Sequence, residues 1–335
     1  MEKSEPLLKK KDNISYNSDN GYAVFINSST LNSDTETNKI STSKYQWYSF
    51  FPKMLMEQFA RLANAYFLII AILQSIKEIS YSSGSPVILF PLSIVILING
   101  LKDLFEDMKR KKSDNEENNN FCLVYDKKQR QFVNKKWKEI VLGDIVKVMN
   151  DHQFPADLIL LNSSEPNGIC YVETKNIDGE TNLKFRQSNK TLKEVTERDE
   201  MLADFNYVCL TRPPNEFIYQ FDATFYQINT DGLILDKTKF LMIDKQSFLL
   251  RGSYLKQTDY IIGVVVYVGH NTKSMINSPN ARAKTSSIER IMNYQIITIF
   301  FLQIFLSSQI DEVQQLPLLQ AHSKKFHILP YSSAN

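Results

Sequence analysis

The stretch YVETKNIDGETNLKFRQ, Tyr171 to Gln187, places an acid, a glycine, a second acid and a threonine side by side at Asp178, Gly179, Glu180 and Thr181. Asp-Gly is a common tight-turn pair, and exposed carboxylates are mostly just solvated. Taken alone the four residues read as a turn, and their chemical meaning depends on the chain around them.

That chain has 335 residues, 43% of them hydrophobic, enough for one large domain or two smaller ones. Its 39 basic and 37 acidic residues nearly cancel, so overall charge gives no case for nucleic acid as a partner. Cys122, Cys170 and Cys209 lie far apart, without zinc-site spacing or the even count of a disulfide framework, and read as reduced packing residues. The four histidines show no metal-ligand spacing. No apolar secretory signal opens the sequence, and the membrane topology given by the flanking basic residues is expected to keep the N-x-S/T sequons beginning at Asn13, Asn27, Asn162 and Asn189 in the cytosol.

Residues 1–44 are rich in Asn, Ser, Thr and Lys and are expected to form a flexible cytosolic tail, except that GYAVFINSS, Gly21 to Ser29, can add a strand to a domain elsewhere. Interfacial aromatics from Trp47 onward lead into an apolar run, Leu62 to Leu73. After a polar loop comes a second run, Pro86 to Leu101. Each is short against the roughly 20 residues of a bilayer span, and together they are expected to form a membrane hairpin over residues 45–101. Lys44, Lys53 and Arg61 before it and Lys109 to Lys112 after it place both ends in the cytosol by the positive-inside rule.

Residues 102–290 read as one mostly β domain, with short runs bounded by Gly, Asn and Asp. GDIVKVMNDHQFPADLILL suggests a β-hairpin or corner, DYIIGVVVYVGH a buried strand, and Leu192 to Phe205 a helical span. Residues 291–306 begin a third apolar helix at Ile296 to Leu306, and 307–335 are polar, proline-punctuated and without clear pattern.

These pieces resemble, in order, the N-terminal third of a P4-type ATPase, the phospholipid flippase branch of the P-type ATPases. FFPKMLMEQFARLANAYFL is similar to the family's entry into its first span and LKDLFEDMKRKKSDNEENN to the exit from its second. WKEIVLGDIVKV, FPADLILL and CYVETKNIDGETNLKFRQ are similar to its actuator domain. LLRGSYLKQTDYIIGVVVYVGHNTKSMINS and KTSSIERIMN continue the similarity toward the third span. It covers about residues 45–305.

The resemblance implies a membrane protein: an α-helical transmembrane hairpin, a mostly β cytosolic actuator (A) domain and a truncated third transmembrane helix, in an endomembrane or the plasma membrane. It implies an ATP-driven phospholipid translocase in which Glu180 orients water against an aspartyl phosphate, Gly179 lets the backbone approach, and Asp178 and Thr181 shape the loop. Other P-type branches carry T-G-E there, so Asp178 points to the lipid-transporting branch. Gln74 and Ser75 stand where flippases select headgroups, and the alternative is that both simply sit at the interface. Lys77 replaces the family's usual proline nearby. Asn64 matches the family, and a helix–helix hydrogen bond explains it equally well.

ATP and Mg²⁺ are implied by the family, with their binding residues outside this chain, and a two-span accessory beta subunit is an implied partner. The phosphorylation motif D-K-T-G-T does not occur; DKTKF, Asp236 to Phe240, is a poor match and reads as a solvated turn. Two function classes follow: part of a flippase, or a catalytically inactive short product that binds or modulates a full-length flippase or its accessory subunit.

Overall fold

β-branched and aromatic runs bounded by Gly, Asn and Asp become strands because their side chains suit a pleated, half-buried surface. The computed structural model describes residues 22–28, 31–32, 37–77, 84–229, 234–236, 238–278 and 287–326. The chain divides into two units, residues 1–43 with 109–280, and residues 44–108 with 281–335.

The first unit is built on strands β1 (Tyr22–Phe25), β2 (Phe121–Asp126), β3 (Gln131–Lys136), β4 (Ile145–Met149), β5 (Asp157–Ser163), β6 (Ile169–Glu173) and β7 (Lys184–Gln187). It continues with β8 (Tyr207–Thr211), β9 (Asp222–Gln227), β10 (Phe240–Asp244), β11 (Phe248–Leu249), β12 (Tyr254–Lys256) and β13 (Tyr260–Tyr267). Three antiparallel sheets result, ordered β1-β8-β9-β10, β11-β5-β13-β4-β2-β3 and β12-β6-β7. All of β5 is buried, as is β13 from Ile261 onward, so these strands form the centre of the core.

GDIVKVMNDHQFPADLILL is a corner and not a hairpin, because β13 lies between β4 and β5 and pairs with both. This central strand is a continuous Ile/Val run buried on both faces, and it comes from about a hundred residues later in the chain. The span Leu192 to Phe205 is not one helix either. It splits into a short α-helix, Lys190–Val195, and a 3₁₀ turn, Asp199–Asp204. Thr196 ends the first piece, its hydroxyl donating to the Leu192 carbonyl at 2.7 Å.

Residues 37–43, expected within the flexible tail, are packed into this unit. Asn38 is fully buried, donating to the carbonyls of Trp137 and Pro155 and accepting from the Gly269 N–H and Arg251 Nη1. Every hydrogen-bonding position of its amide is filled, which is what makes burial of so polar a residue affordable. Asn32 does the same for β1, exchanging hydrogen bonds with the Phe25 N–H and C=O and donating to the Leu142 carbonyl. The backbone approach is close at Gly143, where φ is +78° and a Cβ would stand 2.1 Å from the Phe25 carbonyl oxygen.

The second unit contains helices α1 (Phe50–Phe59) and α2 (Leu62–Ser75) and part of α3 (Leu89–Asn118), whose remaining residues belong to the first unit. Among the described residues no single helix is long and apolar enough to cross a membrane; α1 and α2 pass that test only as a pair, bent by 92° at the break. The expected hairpin of two simple spans, Leu62 to Leu73 and Pro86 to Leu101, is therefore not present as two full-length apolar helices. In α3 the apolar run is continued by the charged residues around Lys109 to Lys112. The helix expected to stop at Leu306 runs on as backbone helix, Ser287–Phe326. Large apolar side chains on these helices stand exposed, among them Ile72, Phe90, Leu97, Ile98, Phe301 and Phe305.

Alanine at Gly143 must escape both a left-handed φ and a backbone clash, whereas Gly252 has φ +85° and open space around its missing Cβ. Gly252→Ala is expected to cost about 1–2 kcal/mol and Gly143→Ala about 3 kcal/mol or more in urea unfolding. Equal losses for the two variants would contradict the close packing of the N-terminal segment on Gly143.

Candidate functional site

The stretch from Tyr171 to Gln187 folds as β6, one helical turn, a loop and β7, with β6 and β7 paired antiparallel from Ile169↔Gln187 to Val172↔Lys184. The turn is Lys175–Asp178, and it stops at Gly179, whose φ of +77° carries the chain into the left-handed region that favours glycine. Nothing lies within 4 Å of where a Cβ at Gly179 would stand, so backbone conformation and not crowding selects glycine here.

Asp178 is the organising group. Its carboxylate accepts from the Thr174 hydroxyl at 2.9 Å, the Glu180 N–H at 3.0 Å, Lys184 Nζ at 2.5 Å and the Tyr219 hydroxyl at 3.3 Å. Burial opposes its charge, but the hydrogen bonds from Lys184, Glu180 and Thr174 outweigh burial and hold its pKa below the ordinary carboxylate value. Lys184 is matched to it: burial works against the ammonium, and Asp178 and Glu180 overcome that and raise its pKa.

Glu180 is held differently. Its side chain is 59% exposed and touches Lys184 through Oε2 at 2.9 Å. No other partner for its carboxylate occurs among the described residues. Thr181 is exposed and makes no side-chain hydrogen bond among the described residues, whereas the Asp178 carboxylate accepts from the Glu180 N–H. The arrangement presents one solvent-facing carboxylate on a turn fixed by a second, charge-compensated one.

Thr174, Lys184 and Tyr219 were not singled out from the sequence. Lys184 stands four residues after Glu180, a spacing that signals pairing only where the backbone is helical, which the loop is not. Tyr219 arrives from the segment between β8 and β9, and its ring lies 5.6 Å from Lys184 Nζ.

Of the residues read as a lipid gate, Gln74 and Ser75 are consecutive at the end of α2, and Asn64 lies near its start. Asn64 is buried and donates to the Gln58 carbonyl at 2.9 Å, joining α2 to α1, while Gln58 Oε1 accepts from Asn99 of α3. Gln74 lies at the other end of α2, ~15 Å along the axis, and accepts from the Ile88 N–H. Ser75 donates to the Ala71 carbonyl one turn back. The Asp236 carboxylate accepts from both the N–H and the hydroxyl of Thr238, a local turn contact.

No group of three or more His, Cys, Asp or Glu side chains that could hold a metal ion occurs among the described residues. The described residues therefore do not fit a Mg²⁺ site. Cys170 and Cys209 are buried and all three cysteines are unbridged. Burial pushes the Cys170 thiol up to about 12, so it is an inert packing group.

The fold and site thus describe a β unit with an acidic turn, and a helical unit with exposed apolar surface. The family profile "Phospholipid-translocating ATPase N-terminal" matches residues 24–88. A phospholipid-transporting ATPase of Schizosaccharomyces pombe is 39% identical over 269 residues, covering 80% of this chain and 20% of the relative. Human phospholipid-transporting ATPase IC is 40% identical over 271 residues, 81% of this chain and 21% of the relative. Phospholipid-transporting ATPase 1 of Arabidopsis thaliana is 38% identical over 270 residues, 80% and 22% respectively. The chain belongs to the P4-type, phospholipid-translocating ATPases and corresponds to their N-terminal portion. It spans about a fifth of the length of these relatives.

A carboxyl whose folded pKa is lowered contributes stability that is full above its unfolded value and is lost as pH falls through the folded one. Protection of the Glu180 amide against hydrogen exchange, corrected for intrinsic rate, is therefore expected to stay constant from neutral pH to about 4 and to fall below that. Loss of protection already at about pH 6 would contradict an ionised Asp178 as its acceptor.

Proposed function

We propose that this chain supplies the actuator part of an ATP-driven phospholipid translocase, with Glu180 as the base that acts on an aspartyl phosphate formed on another domain. Water attacks phosphorus, the bond from phosphorus to the aspartyl oxygen breaks, and the water proton passes to Glu180; the aspartate leaves as a carboxylate with release of inorganic phosphate. The observation that carries this reading is the contrast between the two acids. Asp178 is spent on the turn, and Glu180 stands 59% exposed with one oxygen paired to Lys184.

Charge favours the same assignment. Lys184 is shared by Asp178 and Glu180, so an incoming phosphate meets less net negative charge than two unpaired carboxylates would present. Gly179, with open space at its missing side chain, leaves the loop backbone accessible from that side. Asp178 shapes the loop; Thr181 is exposed beside Glu180 at its tip.

The transported molecule is a phospholipid, ATP and Mg²⁺ act on domains beyond the matched segment, and a two-span accessory beta subunit is a partner of the assembled transporter. The exposed apolar residues of α2 and α3, with basic residues before the first and after the second, support a membrane hairpin whose ends and β unit face the cytosol. Gln74 and Ser75 belong to its headgroup-selecting end. Asn64 ties α2 to α1. Residues 102–290 form the actuator domain, with residues 22–43 added to it.

The test is a chimaera in which residues 45–305 replace the matching segment of human phospholipid-transporting ATPase IC, followed by measurement of phosphoenzyme formation and decay. Glu180→Gln is expected to form phosphoenzyme normally and to slow its decay by about 10²-fold or more. Decay of Glu180→Gln at the unsubstituted rate would overturn the assignment.

A further inference from the structure

The loop that carries Glu180 is supported from outside its own hairpin, by a segment with no apparent catalytic chemistry of its own. Between β8 and β9 the chain leaves the sheet and folds over residues 213–221. Asn215 accepts from the Phe217 N–H at 3.2 Å and donates to the Pro213 carbonyl, closing a small turn. The Phe217 carbonyl accepts from the Gln220 N–H, so the local turns continue up to Tyr219.

This segment is fastened by a buried lysine. Lys273 is fully buried, and its ammonium donates to Asn215 Oδ1 and to the Phe217 carbonyl, both at 2.7 Å. Asn277 adds a hydrogen bond to the Glu216 carbonyl at 2.6 Å. The Lys273 backbone N–H is held in turn by Asp157 at 2.7 Å, and the other Asp157 oxygen accepts from the Arg251 N–H at 2.8 Å. Asp157 is the first residue of β5, in the centre of the core, so the anchor is as rigid as the domain itself. A buried ammonium that donates to one side-chain amide and one backbone carbonyl favours this conformation of the segment, because losing those acceptors leaves the buried charge short of partners.

At the far end of the segment, Tyr219 meets the acidic turn. Its hydroxyl donates to Asp178 Oδ2 at 3.3 Å, and its ring stands 5.6 Å from Lys184 Nζ. Tyr219 thus touches both members of the pair that sets the Glu180 position, without touching Glu180. The Tyr219 side chain is otherwise 57% exposed, a wasteful place for an aromatic ring unless the contact is used.

We propose that Tyr219, held by the buried Lys273, is a positioning residue for the Glu180 loop: it braces Asp178 and Lys184 from a second element, so that the loop is ordered before it meets a phosphate. The structural half of this proposal stands on the geometry alone; its consequence for dephosphorylation rests on the Glu180 reading above. Pre-ordering matters because a misplaced base loses rate steeply with small displacements.

The experiment has two readouts that separate these halves. In the 335-residue chain in detergent, amide hydrogen exchange over residues 174–184 is compared between the unsubstituted protein, Tyr219→Phe and Lys273→Met. Tyr219→Phe keeps the ring and removes only the hydroxyl, so the fold is retained. It is expected to raise exchange at the Glu180 amide about three- to tenfold, with residues of β5 and β13 unchanged. Lys273→Arg, which keeps a charged donor, is expected to restore more protection than Lys273→Met. In the chimaera, Tyr219→Phe is expected to slow phosphoenzyme decay by about three- to tenfold, with formation unchanged.

Unchanged exchange at the Glu180 amide in Tyr219→Phe overturns the proposal, whatever Glu180→Gln does. Raised exchange with unchanged phosphoenzyme decay in Tyr219→Phe, while Glu180→Gln decays slowly, overturns the functional half and leaves the Glu180 assignment standing. Raised exchange together with normal decay in Glu180→Gln removes the Glu180 assignment and leaves the structural brace.

Discussion

The Asp178 carboxylate, with its side chain only 14% exposed, must remain ionised and find partners for both oxygens. It does so by gathering a hydroxyl from Thr174, an N–H from Glu180, an ammonium from Lys184 and a phenol from Tyr219. Each donor comes from a different part of the surrounding chain: the residue before the helical turn, the loop itself, the start of β7, and the segment before β9. Satisfying one carboxylate therefore fixes the exit of the turn, the register of the hairpin and the approach of a distant loop. Glu180 is what remains at the tip once those constraints are met. Its exposure follows from the geometry of its neighbour.

The same economy appears in the core of the β unit. Arg251 is 2% exposed and is divided between Asn38, at 2.8 Å, and Glu117 of α3, at 3.0 Å. Asn38 belongs to a stretch of small polar residues, and its polar contacts are what carry residues 37–43 into the fold. Membership of the P4-type ATPases gives this architecture a setting. On the proposed reading, a domain that carries a chemical group to a phosphate on another domain needs an internally rigid frame and an exposed group at one edge.

Legibility from sequence followed the range of the interactions involved. The β13 run YIIGVVVY is β-branched and apolar at nearly every position, and its burial was readable without any partner. Its place between β4 and β5 was not, because pairing across such a separation leaves no local mark, and the sequence around β4 and β5 left a hairpin and a corner both open. The Asp-Gly turn was visible from two letters, and Gly179 indeed has the positive φ that such a turn demands. The roles of Lys184 and Tyr219 were hidden: one follows a loop of irregular backbone, and the other stands about forty residues further on. The burial of Asn38 was not legible, because composition measures how much apolar surface a segment has, and Asn38 is held by filled hydrogen bonds. In the helical unit, the apolar runs were legible but their ends were not, since charged residues continue α3 as helix without a break.

The central claim is a division of labour between two carboxylates two residues apart, one held in the turn by several hydrogen bonds and one solvent-facing with Lys184 as its contact. It is tested most directly by urea unfolding of the chain with Asp178→Asn and with Glu180→Gln, side by side at neutral pH. The account predicts that Asp178→Asn loses about 1.5–3 kcal/mol, the worth of hydrogen bonds to a charged group, while Glu180→Gln stays within about 0.5 kcal/mol of the unsubstituted protein. Equal destabilisation by the two substitutions, or a larger loss for Glu180→Gln, would contradict it.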